Sequence, residues 1–268
     1  PSIFKDLSFE FDVIILDEPS LPNDMVNELS KFKLKIGFDE MGPARDFLDL
    51  HFCTTLLGLE NFEQIRGSTQ EYIGPKYFIF PEDDLIENVN RDSSKILISM
   101  GGTDPGKLCW KFLSELFSKF NEAYSYQWNS IIGPGYPQDY KQKLVRDYPQ
   151  VQWIETPCSM NELYASSQAI ICCGGITPYE ALKQGCLPMM LPQMQEQLET
   201  ASALHQSALG ILFGTTESIN WKLFCSILES AFEEKRMRAE NNFKELIEQD
   251  PTSRVINIIY DHAKHRSL

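Results

Sequence analysis

The sequence predicts an α/β fold with parallel sheets, on three observations. Short apolar runs alternate with helix-length amphipathic stretches, the signature of repeated strand-helix-strand units. The first such run, Phe11-Asp12-Val13-Ile14-Ile15-Leu16-Asp17, is apolar almost throughout and ends in an acid, as a parallel strand buried on both faces reads. One device, strand, Gly-Gly, two residues, Pro, occurs twice, at residues 101–105 and 174–178.

The elements follow in order. After the first strand, residues 23–32 have helical spacing, with Met25, Val26, Leu29 and Phe32 on one face. Residues 34–38 form the next strand, with Asp39-Glu40 at its C-terminal end, and a short strand is expected over 53–58. Residues 72–80, interrupted by Gly74-Pro75, read as an extended connector. Residues 82–95 (EDDLIENVNRDSSK) are polar and aperiodic, which places a domain boundary near residue 90. Beyond it the alternation is regular. Strands are expected at 96–100, 126–132, 151–154, 169–173, 187–191 and 210–213. Helices are expected at 105–120, 139–147, 161–166, from the second glycine turn through Lys183, 197–207, 221–238 and 254–264. The expected domains are therefore 1–90 and 91–268, with the terminal helix available to pack back on the first. Parallel sheets of this kind bind ligands at the carboxyl ends of their strands.

Composition narrows the functions. The 268 residues carry 38 Asp plus Glu against 24 Lys plus Arg, a net charge of -14. Such a surface repels polyanions, so no nucleic-acid partner is expected. A small anion is still accommodated, because it needs only backbone N–H groups at a helix start. No apolar run reaches the ~18 residues of a membrane span. The seven cysteines, Cys53, Cys109, Cys158, Cys172, Cys173, Cys186 and Cys225, show no metal-binding spacing. They read as small core residues of a cytoplasmic, reducing compartment. No metal site and no cofactor are expected.

The glycine turns carry the chemistry. Glycine permits a positive φ and close approach of a ligand to the backbone. Asp104 and Thr177 are N-cap types, and Pro105 and Pro178 suit a first helical position, so each turn aims a helix start at the sheet edge. The first turn nearly spells a P-loop (Gly101, Gly106, Lys107). Leu108 replaces the Ser or Thr that would hold Mg²⁺, and Pro105 removes an N–H, so an ATPase is rejected. Thr177-x-x-Glu180 has two readings: a capping box, or a carboxylate that accepts hydrogen bonds from ribose hydroxyls. Gln195, Glu196 and Gln197 precede a helix where amides can donate to phosphate.

Residues 96–108 (ILISMGGTDPGKL), 72–77 (YIGPKY) and 171–182 (ICCGGITPYEAL) resemble the UDP-sugar hydrolase of pseudaminic acid biosynthesis and its relative, the spore-coat polysaccharide biosynthesis protein. Both belong to the GT-B superfamily, with the peptidoglycan N-acetylglucosaminyltransferase. The resemblance covers nearly the whole chain. It implies two Rossmann-like domains, a UDP-sugar as substrate or ligand, and UDP on the C-terminal domain. Gly101, Gly102, Thr103 and Asp104 would line the first turn near the diphosphate, and Gly174 and Gly175 would form the second. Glu180 would hold the ribose, and Glu196 and Gln197 match a pair near the phosphates. It implies processing of a UDP-amino sugar in cell-surface glycan or nonulosonic acid biosynthesis, by hydrolysis or sugar transfer.

The chain departs from this pattern on its sugar side. Family members open with a strand and a Gly-rich loop carrying a histidine. Here the first strand matches a later one, so the first domain is expected to be truncated, completed by an upstream segment or a partner polypeptide. Asp17-Glu18-Pro19 stands where the hydrolase has Asp-His-Tyr, and Pro81 where it has Arg. Of the histidines, His262 and His265 read as solvated, His205 as helical surface and His51 as packed. Asp17 is the leading candidate for a sugar-side acid or base, ahead of Glu18, Asp39 and Glu40. A non-catalytic nucleotide-sugar-binding module, or a fragment of a larger enzyme, is the alternative reading. An interaction scaffold is a third.

Overall fold

The computed structural model describes residues 11–18, 20–54, 62–80, 86, 91–157, 159–215, 217–230, 232–247 and 250–266. The chain divides into two compact units, Pro1–Phe80 with Leu246–Leu268, and Pro81–Glu245. The boundary expected near residue 90 thus falls at residue 80. The segment from Leu246, numbered within the expected second domain, groups with the first unit, on which the terminal helix is expected to be available to pack.

The first unit holds a five-stranded sheet in the order β1-β2-β3-β5-β4. Strands β1 (Val13–Asp17), β2 (Leu34–Phe38), β3 (Leu50–Cys53) and β5 (Thr69–Ile73) are parallel, and β4 (Phe62–Arg66) runs antiparallel to β5. The β4–β5 hairpin replaces part of the expected connector. It turns at Gly67, whose φ of +60° favours glycine. Only Pro75–Tyr77 of the connector is a 3₁₀ turn. The strand expected over 53–58 is β3, three residues earlier; positions 55–58 lie outside the described residues. The expected helix over 23–32 is α1 (Asn23–Val26), followed by a 3₁₀ segment, Asn27–Lys31, and neither is capped by a side chain.

Strand β1 corrects the expectation of burial on both faces. Among the described residues it pairs only with β2. Val13 and Ile15 are 38% and 57% exposed, and Leu16 alone is buried. Two apolar clusters cover this sheet. Leu34, Ile36, Leu50, Phe52, Tyr72 and Tyr77 pack with Val255 of α9 (Pro251–His265). Leu16, Leu21, Met25, Val26, Leu29, Ala44 and Leu48 form the other. Gly37, of opposite parity to Ile36, faces that second cluster, and a Cβ there would stand 2.4 Å from Leu48 Cδ1. Helix α9 begins at Pro251 under an Asp250 cap, whose carboxylate accepts from the Ser253 N–H at 3.1 Å. His262, expected in solvent, meets Gln70 Oε1 at 3.1 Å through Nε2.

The second unit holds six parallel strands in the order β11-β10-β9-β6-β7-β8. These are β6 (Asp92–Ser99), β7 (Gln127–Ile131), β8 (Gln152–Ile154), β9 (Ser167–Cys172), β10 (Leu187–Met190) and β11 (Ile211–Leu212). The helices are α2 (Leu108–Lys119), α3 (Gln138–Asp147), α4 (Met160–Ser166), α5 (Thr177–Lys183) and α6 (Gln195–Gln206). The single helix expected over 221–238 is two, α7 (Trp221–Ser230) and α8 (Phe232–Ile247). Counted from the start of the unit, the sheet runs 3-2-1-4-5-6. That is the doubly wound nucleotide-binding order, with its reversal between β6 and β9. Every residue of β9 is buried, the polar Ser167 and Gln168 at its start as well as the apolar Ala169–Cys172, as a central strand covered on both faces requires.

Phe112 of α2 centres the aromatic core of this unit. Its ring lies 6.3 Å from Trp128, 6.2 Å from Phe213, 5.8 Å from Trp221 and 5.7 Å from Phe224. The four tryptophans of the chain, Trp110, Trp128, Trp153 and Trp221, all belong to this unit, so indole emission reports on it alone. Phe112→Ala is expected to destabilise the second unit by about 3–5 kcal/mol. Urea unfolding followed by tryptophan fluorescence measures it, and a loss below about 1 kcal/mol contradicts this core assignment.

Candidate functional site

The two glycine turns leave neighbouring strands on either side of the sheet reversal. Strands β6 and β9 are hydrogen-bonded through the register Ser99↔Cys172, so both turns emerge side by side at the carboxyl edge. Gly101 has φ +82°. A Cβ on Gly101, Gly102 or Gly175 would meet nothing within 4 Å, so these backbones lie open to a ligand. Thr103 is exposed beside them. Gly174 is different: a Cβ there would stand 2.0 Å from the Gln197 carbonyl oxygen, because the first turn of α6 lies against it. A third turn supports the first. The Gly135 N–H donates to the Gly102 carbonyl at 2.8 Å, and a Cβ on Gly133 would stand 2.4 Å from the same oxygen.

Asp104 is committed to the protein. It is buried, with φ +42°. Its Oδ1 accepts from the Leu108 N–H at 2.7 Å. Its Oδ2 accepts from the Cys109 N–H at 3.0 Å and from the Tyr140 hydroxyl at 2.7 Å. The carboxylate thereby fills the anion site at the α2 start. Helix α2 begins at Leu108 rather than Pro105, because Pro105 and Gly106 form a turn closed by left-handed Lys107 at φ +53°.

At the second turn Ile176 is the cap, Thr177 the first helical residue and Pro178 the second. No side chain caps α5, so neither the Thr177 cap nor the Thr177–Glu180 capping box forms. The half-buried Glu180 instead accepts from the Tyr164 hydroxyl through Oε2 at 3.0 Å. Burial pushes the Glu180 carboxyl up, and the Tyr164 hydrogen bond opposes this. Helix α6 also starts without a side-chain cap. Gln197 Oε1 accepts the Gln193 N–H at 2.9 Å, and Glu196 is exposed.

Two residues of this edge escape sequence reasoning. Gln193 Nε2 reaches the Met100 carbonyl at 3.4 Å and Cys173 Sγ at 3.2 Å, joining the ends of β6 and β9. Tyr164 lies on α4, and its partner Glu180 lies on α5. Neither contact has a local sequence signal. Burial pushes the Cys173 thiol to about 11 and those of Cys109 and Cys186 to about 12, so none is an activated nucleophile.

In the first unit the strand-end acids divide. Asp17 is exposed at the end of β1, and its carboxylate makes no hydrogen bond or ion pair among the described residues. Asp39 Oδ1 accepts the Thr54 N–H at 2.8 Å. Glu40 is fully buried and accepts the Leu21 N–H at 2.8 Å and the Gly42 N–H at 2.6 Å. Those two carboxylates hold loops. His51 and Glu71, adjacent on β3 and β5, are both fully buried. Glu71 accepts from Arg45 and Gln64, and His51 Nδ1 lies 3.2 Å from its Oε1. Burial, then the Arg45 charge, lowers the His51 pKa against the pull of Glu71. For Glu71, burial acts upward, but the Arg45 and Gln64 hydrogen bonds and the Arg45 charge outweigh it and hold the carboxyl low.

These features define a protein of the GT-B fold, with Rossmann-like units and parallel sheets. Solved glycosyltransferases align over most of the chain. UGT89C1 of Arabidopsis thaliana, complexed with UDP-L-rhamnose, matches at TM-score 0.60 and 12% identity, over 92% of this chain and 69% of that one. Acinetobacter baumannii MurG matches at 0.57 and 15%, over 89% and 76%. The spinosyn rhamnosyltransferase SpnG matches at 0.57 and 15%, over 93% and 73%. No protein-family model matches the chain.

By sequence, the chain is similar to the spore coat polysaccharide biosynthesis protein SpsG of Bacillus subtilis, 23% identical over 220 residues. It is also similar to an uncharacterized protein of Methanocaldococcus jannaschii, 27% identical over 204 residues. These alignments cover 79% and 70% of this chain. They span only 65% and 42% of the relatives, less than two thirds of either. Among the described residues, no helix is long and apolar enough to cross a membrane.

Two predictions follow from this geometry. Asp104→Ala strips the cap from α2 and the partner from Tyr140. It is expected to destabilise the second unit by about 2 kcal/mol, whereas exposed Glu196→Ala changes it by less than about 0.5 kcal/mol. Tryptophan-monitored urea unfolding of both variants checks this. In the first unit, His51 and Glu71 both have lowered folded pKa values, so the unfolded chain binds more protons as pH falls. Stability is expected to be full above the ordinary histidine value of 6.5. It falls with pH first through His51 and then, below the ordinary carboxyl value of 4.5, through Glu71. Amide-exchange protection of β3 and β5, compared at pH 7 and pH 5 in wild type and His51→Gln, is the measurement. Equal pH dependence in the two proteins counts against the assignment.

Proposed function

We propose that the second unit binds a nucleoside diphosphate sugar, a UDP-sugar, and that the protein transfers the sugar during cell-surface glycan biosynthesis. The observation that carries this reading is the side-by-side placement of the two glycine turns at the sheet reversal. The open Gly101, Gly102 and Gly175 backbones, with Thr103 and the uncapped α6 start at Gln195–Gln197, provide N–H groups for a diphosphate. Glu180 provides a carboxylate for ribose hydroxyls. Asp104 and Gly174 serve by building the turns rather than by touching the ligand. The likeness to SpsG supports the polysaccharide setting, and the GT-B fold supports transfer.

Sugar transfer breaks the bond between the anomeric carbon and the diphosphate oxygen, leaving negative charge on the departing UDP. Backbone N–H groups and the positive ends of helix dipoles stabilise that charge as it develops. The acceptor must lose a proton. Asp17 is the candidate base, because it is exposed at a strand end while Asp39 and Glu40 are held in loops. Water in place of the acceptor would make the reaction a hydrolysis.

Calorimetric titration with UDP tests the first half. Micromolar-to-submillimolar binding is expected for wild type, and about tenfold or weaker binding for Glu180→Ala. Absence of binding at millimolar UDP overturns the reading. Asp17→Asn is expected to leave UDP affinity unchanged while removing UDP release from a UDP-amino sugar supplied together with a cell-surface glycan acceptor. Binding without any release by wild type reduces the protein to a nucleotide-sugar-binding module.

A further inference from the structure

The geometry points to Tyr164 as the positioning residue that turns Glu180 into a reader of the ribose 2′-hydroxyl, setting preference for ribonucleoside over deoxyribonucleoside diphosphates. This rests on the nucleotide-binding reading above.

Tyr164 is only 1% exposed, and its ring lies within the packing of α4 against the sheet. A buried hydroxyl must find a partner, and this one donates to Glu180 Oε2 at 3.0 Å. The bond joins two short helices, the last residues before β9 and the first helix after it. Its backbone is fixed as well: Arg91, which also donates to the Ser167 and Gln184 carbonyls, reaches the Tyr164 carbonyl at 3.4 Å. Glu180 lies in the first turn of α5, the helix that follows directly on the open Gly175 turn.

An ionised carboxylate has two oxygens and about four acceptor positions. Tyr164 occupies one on Oε2, and among the described residues nothing is bonded to Oε1. The fixed carboxylate plane therefore offers its remaining acceptors to a vicinal diol. A 2′-deoxyribose presents one hydroxyl fewer and leaves a desolvated acceptor unmet, the arrangement that discriminates most strongly between such ligands. The bond also favours the charged form of the acceptor. Burial favours the neutral acid at Glu180, and the Tyr164 hydroxyl acts in the opposite direction. The other titratable groups facing this pair are the thiols of Cys172 and Cys186, which burial keeps protonated. Neither supplies charge that would replace the hydroxyl.

The experiment is titration of the whole chain with UDP and with 2′-deoxy-UDP, as a function of pH, for wild type, Tyr164→Phe and Glu180→Gln. Wild type is expected to prefer UDP by about tenfold at pH 7.5. Tyr164→Phe keeps the ring and is expected to cut that preference by about fivefold. The remaining preference should also vanish at a higher pH than in wild type, because the ionised form has lost its donor. Glu180→Gln should show the low preference at every pH.

A Tyr164→Phe protein with the wild-type ratio and the wild-type pH profile overturns the inference and leaves the nucleotide site standing. A wild type that binds neither nucleotide overturns both. A wild type that binds UDP and 2′-deoxy-UDP equally overturns the inference alone. Should Tyr164→Phe fail to fold by tryptophan fluorescence, Glu180→Asp draws the carboxylate back from the hydroxyl. It must then show the reduced ratio and the raised pH midpoint, or the inference falls.

Discussion

The pairing of β6 with β9 is the constraint on which the rest of the second unit depends. In a doubly wound sheet only one neighbouring pair of strands sends its connections to opposite faces, and a crevice opens between them. Here that pair is set by the parallel register from Ile96↔Ala169 to Ser99↔Cys172. A slip of one residue would turn each buried residue of β9 to the other face. It would also move one glycine turn along the edge relative to the other. The fully buried strand and the functional edge are thus specified by the same hydrogen bonds. Gln193 adds a second tie just beyond the last ladder bond, from Met100 to Cys173.

The two turns look alike in sequence and differ in electrostatics. At the first, a buried carboxylate consumes the N–H groups at the start of α2 and takes a tyrosine hydroxyl as well. At the second, α5 and α6 begin without side-chain caps. The α6 start at Gln195–Gln197 therefore keeps N–H groups without a capping side chain, while at α5 Pro178 has no N–H and Tyr179 donates to the Ile176 carbonyl; the first half of the edge supplies open backbone. The acidic balance of the chain is compatible with the proposed anion site, because the donors would be backbone groups in direct contact with the ligand, whereas exposed carboxylates are screened by solvent beyond about 10 Å at ordinary salt.

Much of the fold was legible from the sequence. Parallel strands buried on both faces consist of little but apolar residues, so Ile96–Ser99 and Ala169–Cys172 stand out without context. The β4–β5 hairpin is harder to see because Phe62-Glu63-Gln64-Ile65-Arg66 alternates weakly, and its glutamate and glutamine are committed to Tyr77 and to the cross-strand Glu71. The exposure of β1 is invisible locally, since an edge strand and a central one share the same apolar residues. At the site, the glycines announce themselves by composition. Their juxtaposition depends on sheet order. Glu180 is bonded to Tyr164, and no spacing rule predicts a contact between one helix and the next. Thr177-x-x-Glu180 carries the pattern of a capping box, yet the carboxylate turns to a buried hydroxyl that offers a better-desolvated bond.

The glycines at this edge fall into two kinds that no sequence comparison could separate. Gly174 and Gly133 are small because another backbone already occupies the space a methyl group would need. Gly102 and Gly175 have empty space before them and no positive φ, whereas Gly101, equally open, is also held to glycine by its φ of +82°. In the first kind the space of the absent side chain is filled by the protein, which brings α6 and the third turn into close backbone contact with the sheet edge. In the second it is left for something else. A chain drifting in evolution could replace Gly174 only by moving a helix, but could replace Gly175 with no change of fold at all. Its retention as glycine would then be a record of ligand selection rather than of folding.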